Sequence, residues 1–165
     1  MKQEWHKYLL SCFLLTLPVL AWNILLAPEL PAPFQPASFG KDIPLFLMYG
    51  ENISRSLVFL CMLLMPLQIS TSVQKAGIGI YISGILVYFA SWIMLIYFPG
   101  SAWSKSPYGF MAPAYTPILW LSGIALSGRK FYFRLPYKPW ILILISIIFL
   151  VFHNIHTWII YQRLY

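Results

Sequence analysis

Five stretches of this chain run for 19 residues or more without a charged side chain, and they limit the possible folds more than any other feature. They are Tyr8 to Ala27 (20 residues), Ser56 to Gln74 (19), Ala76 to Ser104 (29), Ser106 to Gly128 (23) and Pro139 to Gln162 (24). A helix rising about 1.5 Å per residue crosses about 30 Å of hydrocarbon in roughly 20 residues, so each run is long enough to span a bilayer. Inside lipid the backbone must pair its own N–H and C=O groups within the segment, which makes helix the expected state. Barrel strands would alternate apolar and polar residues, and these runs are continuous. Composition closes the soluble alternative: 60% of residues are hydrophobic and 9% charged, where soluble domains carry about 25% charged residues.

The expected fold is therefore all-α: a polytopic transmembrane helical bundle of five helices, forming a single integral membrane domain over 1–165. The spans are expected at about 8–27, 52–70, 77–98, 108–126 and 140–161, with a Pro-rich loop over 28–51 outside the cytoplasm. Pro18 should kink the first span by removing a backbone donor. A rival reading takes Lys2 and Lys7 as a basic leader, Tyr8 to Leu17 as its apolar core and Val19-Leu20-Ala21 as a cleavage site, which would leave four helices. The apolar run continues through Ile24, Leu25 and Leu26, which favours a retained helix.

Pro28, Pro31, Pro33 and Pro36 mark a loop with extended stretches. The second span could begin anywhere from Ile43 to Asn52: Pro44 suits a first turn, and Gly50 could break the helix. In the third span Gly79, Ser83 and Gly84 offer small residues for a close neighbour. In the fourth, Pro113 and Pro117 imply broken backbone that neighbouring protein must satisfy. Cys12 and Cys61, both within spans, read as small buried apolar residues.

The net charge of +7 sits at helix ends rather than on one face, so anionic lipid headgroups are the expected partners and nucleic acid is not. Basic loops stay cytoplasmic. With the N-terminus inside, the inner side carries Lys2, Lys7, Lys75, Arg129, Lys130, Arg134 and Lys138, and the outer side Lys41, Arg55, Lys105 and Arg163. The N-terminus is thus expected in the cytoplasm and the C-terminus outside, in a bacterial cytoplasmic membrane. Trp5, Tyr8, Tyr137 and Trp140 would form the inner aromatic belt, and Trp22, Tyr97, Trp103, Tyr108, Trp158 and Tyr161 the outer one.

Polar residues inside apolar spans are costly, so they are the candidates for function. Glu51 and Arg55 are four apart and share a helix face with pairing geometry, with Asn52 beside them. His153 and His156 are three apart on the last span, flanking Asn154. Two histidines at that spacing could supply half a metal site. No further ligand lies near in sequence, so neither a metal nor a cofactor is expected. Under the inferred topology both clusters, with Asn23 of the first span, fall at similar depth in the outer leaflet. That depth predicts a polar pocket between the second and fifth spans.

No nucleophile motif, HExxH or paired aspartate is present, so an enzyme is the weaker expectation; if there is one, Glu51 or His156 would act as base on a lipid-like substrate. A binding or accessory subunit fits better. Its partners would be the bilayer, another membrane protein or a second copy of the chain, and a small-molecule or lipid ligand. A small transporter or channel component is the alternative, resting on the Pro-broken fourth span.

Overall fold

The computed structural model describes residues 10–132 and 136–165. Within them the chain is helical without strands, apart from an isolated bridge between Ser11 and Pro66. A 3-10 turn over Cys12–Thr16 leads into α1 (Leu17–Leu26). There follow α2 (Pro36–Phe39), α3 (Leu45–Leu63), α4 (Ser72–Tyr97), α5 (Ala102–Lys105), α6 (Pro107–Phe110), α7 (Ala112–Tyr115), α8 (Pro117–Ser127) and α9 (Pro139–Gln162).

Prolines and small polar caps set these boundaries. Pro44 is the N-cap of α3, so that helix starts at Leu45 rather than at 52 and ends at Leu63 rather than 70. Gly50 does not break it. A side chain there would approach the Phe152 ring to 2.5 Å, so the glycine makes room for α9. Thr71 and Gln74 form a reciprocal capping box at the start of α4, which therefore begins five residues before the expected Gly77. Pro107, Pro113 and Pro117 each occupy a first-turn position of a new helix, where their missing N–H is harmless. The fourth leg is thus a chain of short helices instead of one kinked span. Pro18 plays the same part at the change from 3-10 to α geometry.

The legs alternate in direction. At one end, Cys12 N donates to Met65 O (2.7 Å) and Leu67 N to Leu10 O (2.7 Å), joining the start of the first leg to the end of α3. There too Gln74 Nε2 donates to Ser127 O (3.2 Å) and Tyr137 hydroxyl to Ala125 O (2.8 Å). At the other end, Tyr161 hydroxyl donates to Lys105 O (3.3 Å), and the Arg163 guanidinium to the Lys41 and Asp42 carbonyls. α4 and α8 pack closest. A Cβ on Gly77 would lie 2.8 Å from Gly123 O, and one on Gly84 would collide with the Trp120 backbone. The small residues that matter are therefore Gly77, Gly84 and Gly123. Gly79 faces open space and Ser83 is exposed.

The molecule wears its large hydrophobics outside: Ile24, Leu25, Phe46 and Leu86 are 74, 73, 68 and 63% exposed, while Glu51, Gln74, Thr116, Ser127 and His156 are buried. Soluble monomers rarely show such apolar surface. Among the described residues three helical stretches are long and apolar enough to cross a membrane: Cys12–Glu29, Ser72–Tyr97 and Pro139–Gln162. That is fewer than five. α3 carries Glu51, Asn52, Ser54, Arg55 and Ser56 within its 19 residues, and α8 has only 11.

Two expected belt aromatics are interior instead. Trp22 stacks on Phe89 (4.0 Å, 10°). Tyr137 is 8% exposed, and burial pushes its phenol above the usual value. The expected start at Tyr8, with Lys2, Trp5, Lys7 and Arg134, lies outside the described residues.

Candidate functional site

Because α3 starts at Leu45, Glu51 is six residues inside it, about 9 Å along the axis. His156 is six residues before the end of the antiparallel α9, so the two meet at one level. Glu51 is 3% exposed. Its Oε2 lies 2.7 Å from His156 Nδ1 and its Oε1 3.1 Å from His153 Nδ1. Arg55, one turn on, pairs with the same Oε1. One carboxylate is therefore held by three side chains, which is how a buried charge is tolerated.

Donor accounting fixes more. His156 Nε2 lies 2.8 Å from the Phe39 carbonyl, which can only accept. Both ring nitrogens of His156 thus face oxygen, and a proton sits between Nδ1 and Glu51 Oε2 whichever atom carries it. The Arg55 charge, the Glu51 charge and that proton leave one positive charge in excess. Two rings steady the cluster. Phe149 stacks on His153 (5.5 Å, 14°) and carries the Arg55 guanidinium over its face at 5.4 Å. Phe39 covers His156 at 4.4 Å.

Beside the cluster is a cavity of about 420 Å³, walled by all five legs. Arg55, His153, Thr157 and Asn23 are on its wall with Tyr88, Trp92 and Trp120. Tyr88 hydroxyl donates to Asn23 Oδ1 (2.8 Å). The buried indole N–H of Trp120 has no hydrogen-bond acceptor among the described residues. Leu30, Phe34 and Phe39 of the Pro-rich segment close one end. That segment is folded: Gln35 Nε2 donates to the Ala27, Pro28 and Leu30 carbonyls at 3.2, 3.2 and 2.7 Å.

Of the residues singled out in the sequence, Glu51, Arg55, His153 and His156 converge, and Asn23 lies across the cavity. Asn52 is exposed, on the outer face of α3. Asn154 turns away and donates to Ala114 O (3.0 Å) and Leu150 O (2.7 Å). It thereby supplies a donor where α7 gives way to α8. Sequence reasoning missed Phe39, Tyr88, Trp92, Trp120 and Phe149. Phe149 was within reach, one turn before His153. Tyr81, Tyr88, Trp92 and Leu95 also form a helical stripe, whereas nothing local marks Phe39. Among the described residues, no group of three His, Cys, Asp or Glu side chains is arranged to hold a metal ion.

Fold and site define a class: an all-α bundle with three helices able to cross a membrane, an apolar exterior and an ionised cluster on an internal cavity. Comparison with protein families, curated proteins and solved structures finds no match to the chain.

Proposed function

We propose that the chain is a small multi-pass membrane protein whose five legs all cross the bilayer, and that it binds a small molecule or lipid in the cavity. The N-terminus lies in the cytoplasm of a bacterial cell and the cavity in the outer leaflet. The observation that carries this reading is the 420 Å³ cavity between the legs, which falls within the usual range of about 300–1,000 Å³ for ligand sites. α3 can span despite its polar residues because Glu51 and Ser54 are buried among neighbouring helices, and the α5–α8 leg reaches across by setting short helices end to end.

Native mass spectrometry of protein purified in a neutral detergent tests the reading. The wild type should retain a bound molecule, and Leu20→Trp, whose larger ring intrudes on the cavity, should retain less of it. Equal retention by both, or none by either, overturns it.

A transport reading draws on the Pro-broken fourth leg, since Pro113 and Pro117 line the cavity. Transport requires the far end, floored by the buried Thr16 and Leu121, to open. A Leu121→Cys variant should then react with an impermeant maleimide from the basic-loop side. Absence of labelling removes this alternative.

A further inference from the structure

We propose that the cavity selects an anionic amphiphile, a single apolar chain ending in a carboxylate or a phosphate monoester, with the anionic head on Arg55. The inference rests on the binding reading above and names its ligand class.

Three observations converge on it. First, the cluster holds one positive charge in excess, because Glu51 is answered by Arg55 and by the proton it shares with His156. A charge in a site of low dielectric calls for a counter-charge, and no second carboxylate lines the cavity. Second, Arg55 is only partly used. Its guanidinium gives one N–H group to Glu51 and lies against Phe149, and among the described residues it makes no other hydrogen bond. It lines the cavity with 40% of its side chain accessible, so the rest of its planar donor fork is free for a carboxylate or phosphate. Asn23 accepts from Tyr88 through its oxygen, which leaves its NH2 to donate. Third, the remaining wall is mostly apolar, built from residues such as Val19, Leu20, Val58 and Phe59. A hydrated inorganic anion would gain nothing from that surface, whereas an acyl chain would.

The test is equilibrium binding to the full chain in nanodiscs of zwitterionic lipid, with empty discs as background. The probes are oleate, oleyl phosphate and oleyl alcohol, which share one chain and differ in the head. Oleate, oleyl phosphate or both should bind at one per chain, and the alcohol at least about tenfold more weakly, as loss of a charged hydrogen bond implies. Binding by one anion alone would show which head the site takes. Arg55→Gln should bring the anions down to the level of the alcohol. If that variant does not fold, Arg55→Lys keeps the charge and the pair with Glu51 but loses the fork, and anion binding should fall severalfold.

The proposal is overturned if the alcohol binds as tightly as the anions, if Arg55→Gln folds and leaves anion binding unchanged, or if Arg55→Lys does so. In those cases the cavity reading survives as long as Leu20→Trp weakens binding. If no probe binds above background the proposal also falls. The cavity reading then stands or falls with the molecule retained in native mass spectrometry.

Discussion

Neutralising the Glu51 carboxylate as Gln would leave one amide oxygen for Arg55 and both histidine Nδ1 atoms, with His156 keeping its Nε2 bond to the Phe39 carbonyl, in a site where Glu51 itself is 3% exposed. Breaking a buried charge pair by truncating one partner costs about 3–5 kcal/mol. Glu51→Gln should therefore lower the thermal unfolding midpoint in detergent strongly. Glu51→Gln with Arg55→Gln should recover part of that loss, because the second change removes the uncompensated charge. A double variant no more stable than the single one would mean that the accessible Arg55 guanidinium leaves no uncompensated charge to remove. Asn154→Ala should cost about 1–2 kcal/mol by leaving the Ala114 carbonyl without its donor. The spacing of Glu51 to Arg55 and of His153 to His156 was legible because helical periodicity alone decides which side chains share a face. The division of labour was not legible: whether Asn52 or Glu51 turns inward depends on where α3 begins and on its rotation against α9.

Pro44 settles that start, and with it the whole Pro-rich segment becomes the cover of the cavity instead of a free loop. His156 grips Glu51 through one nitrogen and the Phe39 carbonyl through the other, so the element that closes the cavity is latched to the element that charges it. Replacing His156 with Phe keeps a ring under Phe39 and removes the latch. Backbone exchange with deuterium at Ser38, Phe39 and Gly40, whose amides close on Gln35 and Pro36, should then quicken by roughly tenfold or more, the worth of one charged hydrogen bond. Unchanged exchange would mean that Gln35 and Arg163 hold the segment without His156.

The pair α4 and α8 gives a second check at this scale. Gly84→Ala drives a Cβ into the Trp120 backbone and should destabilise by about 1–3 kcal/mol. Gly79→Ala meets nothing within 4 Å and should stabilise slightly through helix propensity, by up to about 1 kcal/mol. The sequence placed small residues on this helix, but their spacing could not show which of Gly77, Gly79 and Gly84 meet a neighbour. That depends on how the partner α8 is seated, and the prolines cut α8 short in a way that hydropathy does not register.

At the scale of the whole molecule, the alternating legs sort the loop charges to two ends. Lys75, Arg129, Lys130 and Lys138 belong to the end where α3 finishes and α9 begins, and Lys41, Lys105 and Arg163 to the end beneath the Pro-rich cover. Arg55 lies within α3, paired with Glu51, rather than in an outer loop, and drops out of the comparison. Its removal strengthens the bias that keeps basic loops in the cytoplasm. On the proposed topology the covered end of the cavity is extracytoplasmic, and a ligand would enter from the outer leaflet or the outer aqueous face. This can be measured on intact cells after Cys12 and Cys61 are replaced by Ser. A Lys41→Cys variant should react with an impermeant maleimide directly, and a Lys130→Cys variant only after permeabilisation. The opposite pattern would leave the fold and the Glu51 cluster as they are but turn the cavity toward the cytoplasm, where an anionic amphiphile would have to come from the inner leaflet. Labelling of both from outside would mean that the legs between Lys41 and Lys130 do not all cross the bilayer. The α5–α8 leg, shortest and most broken, would then be the first to be reassigned as a re-entrant element resting on α4.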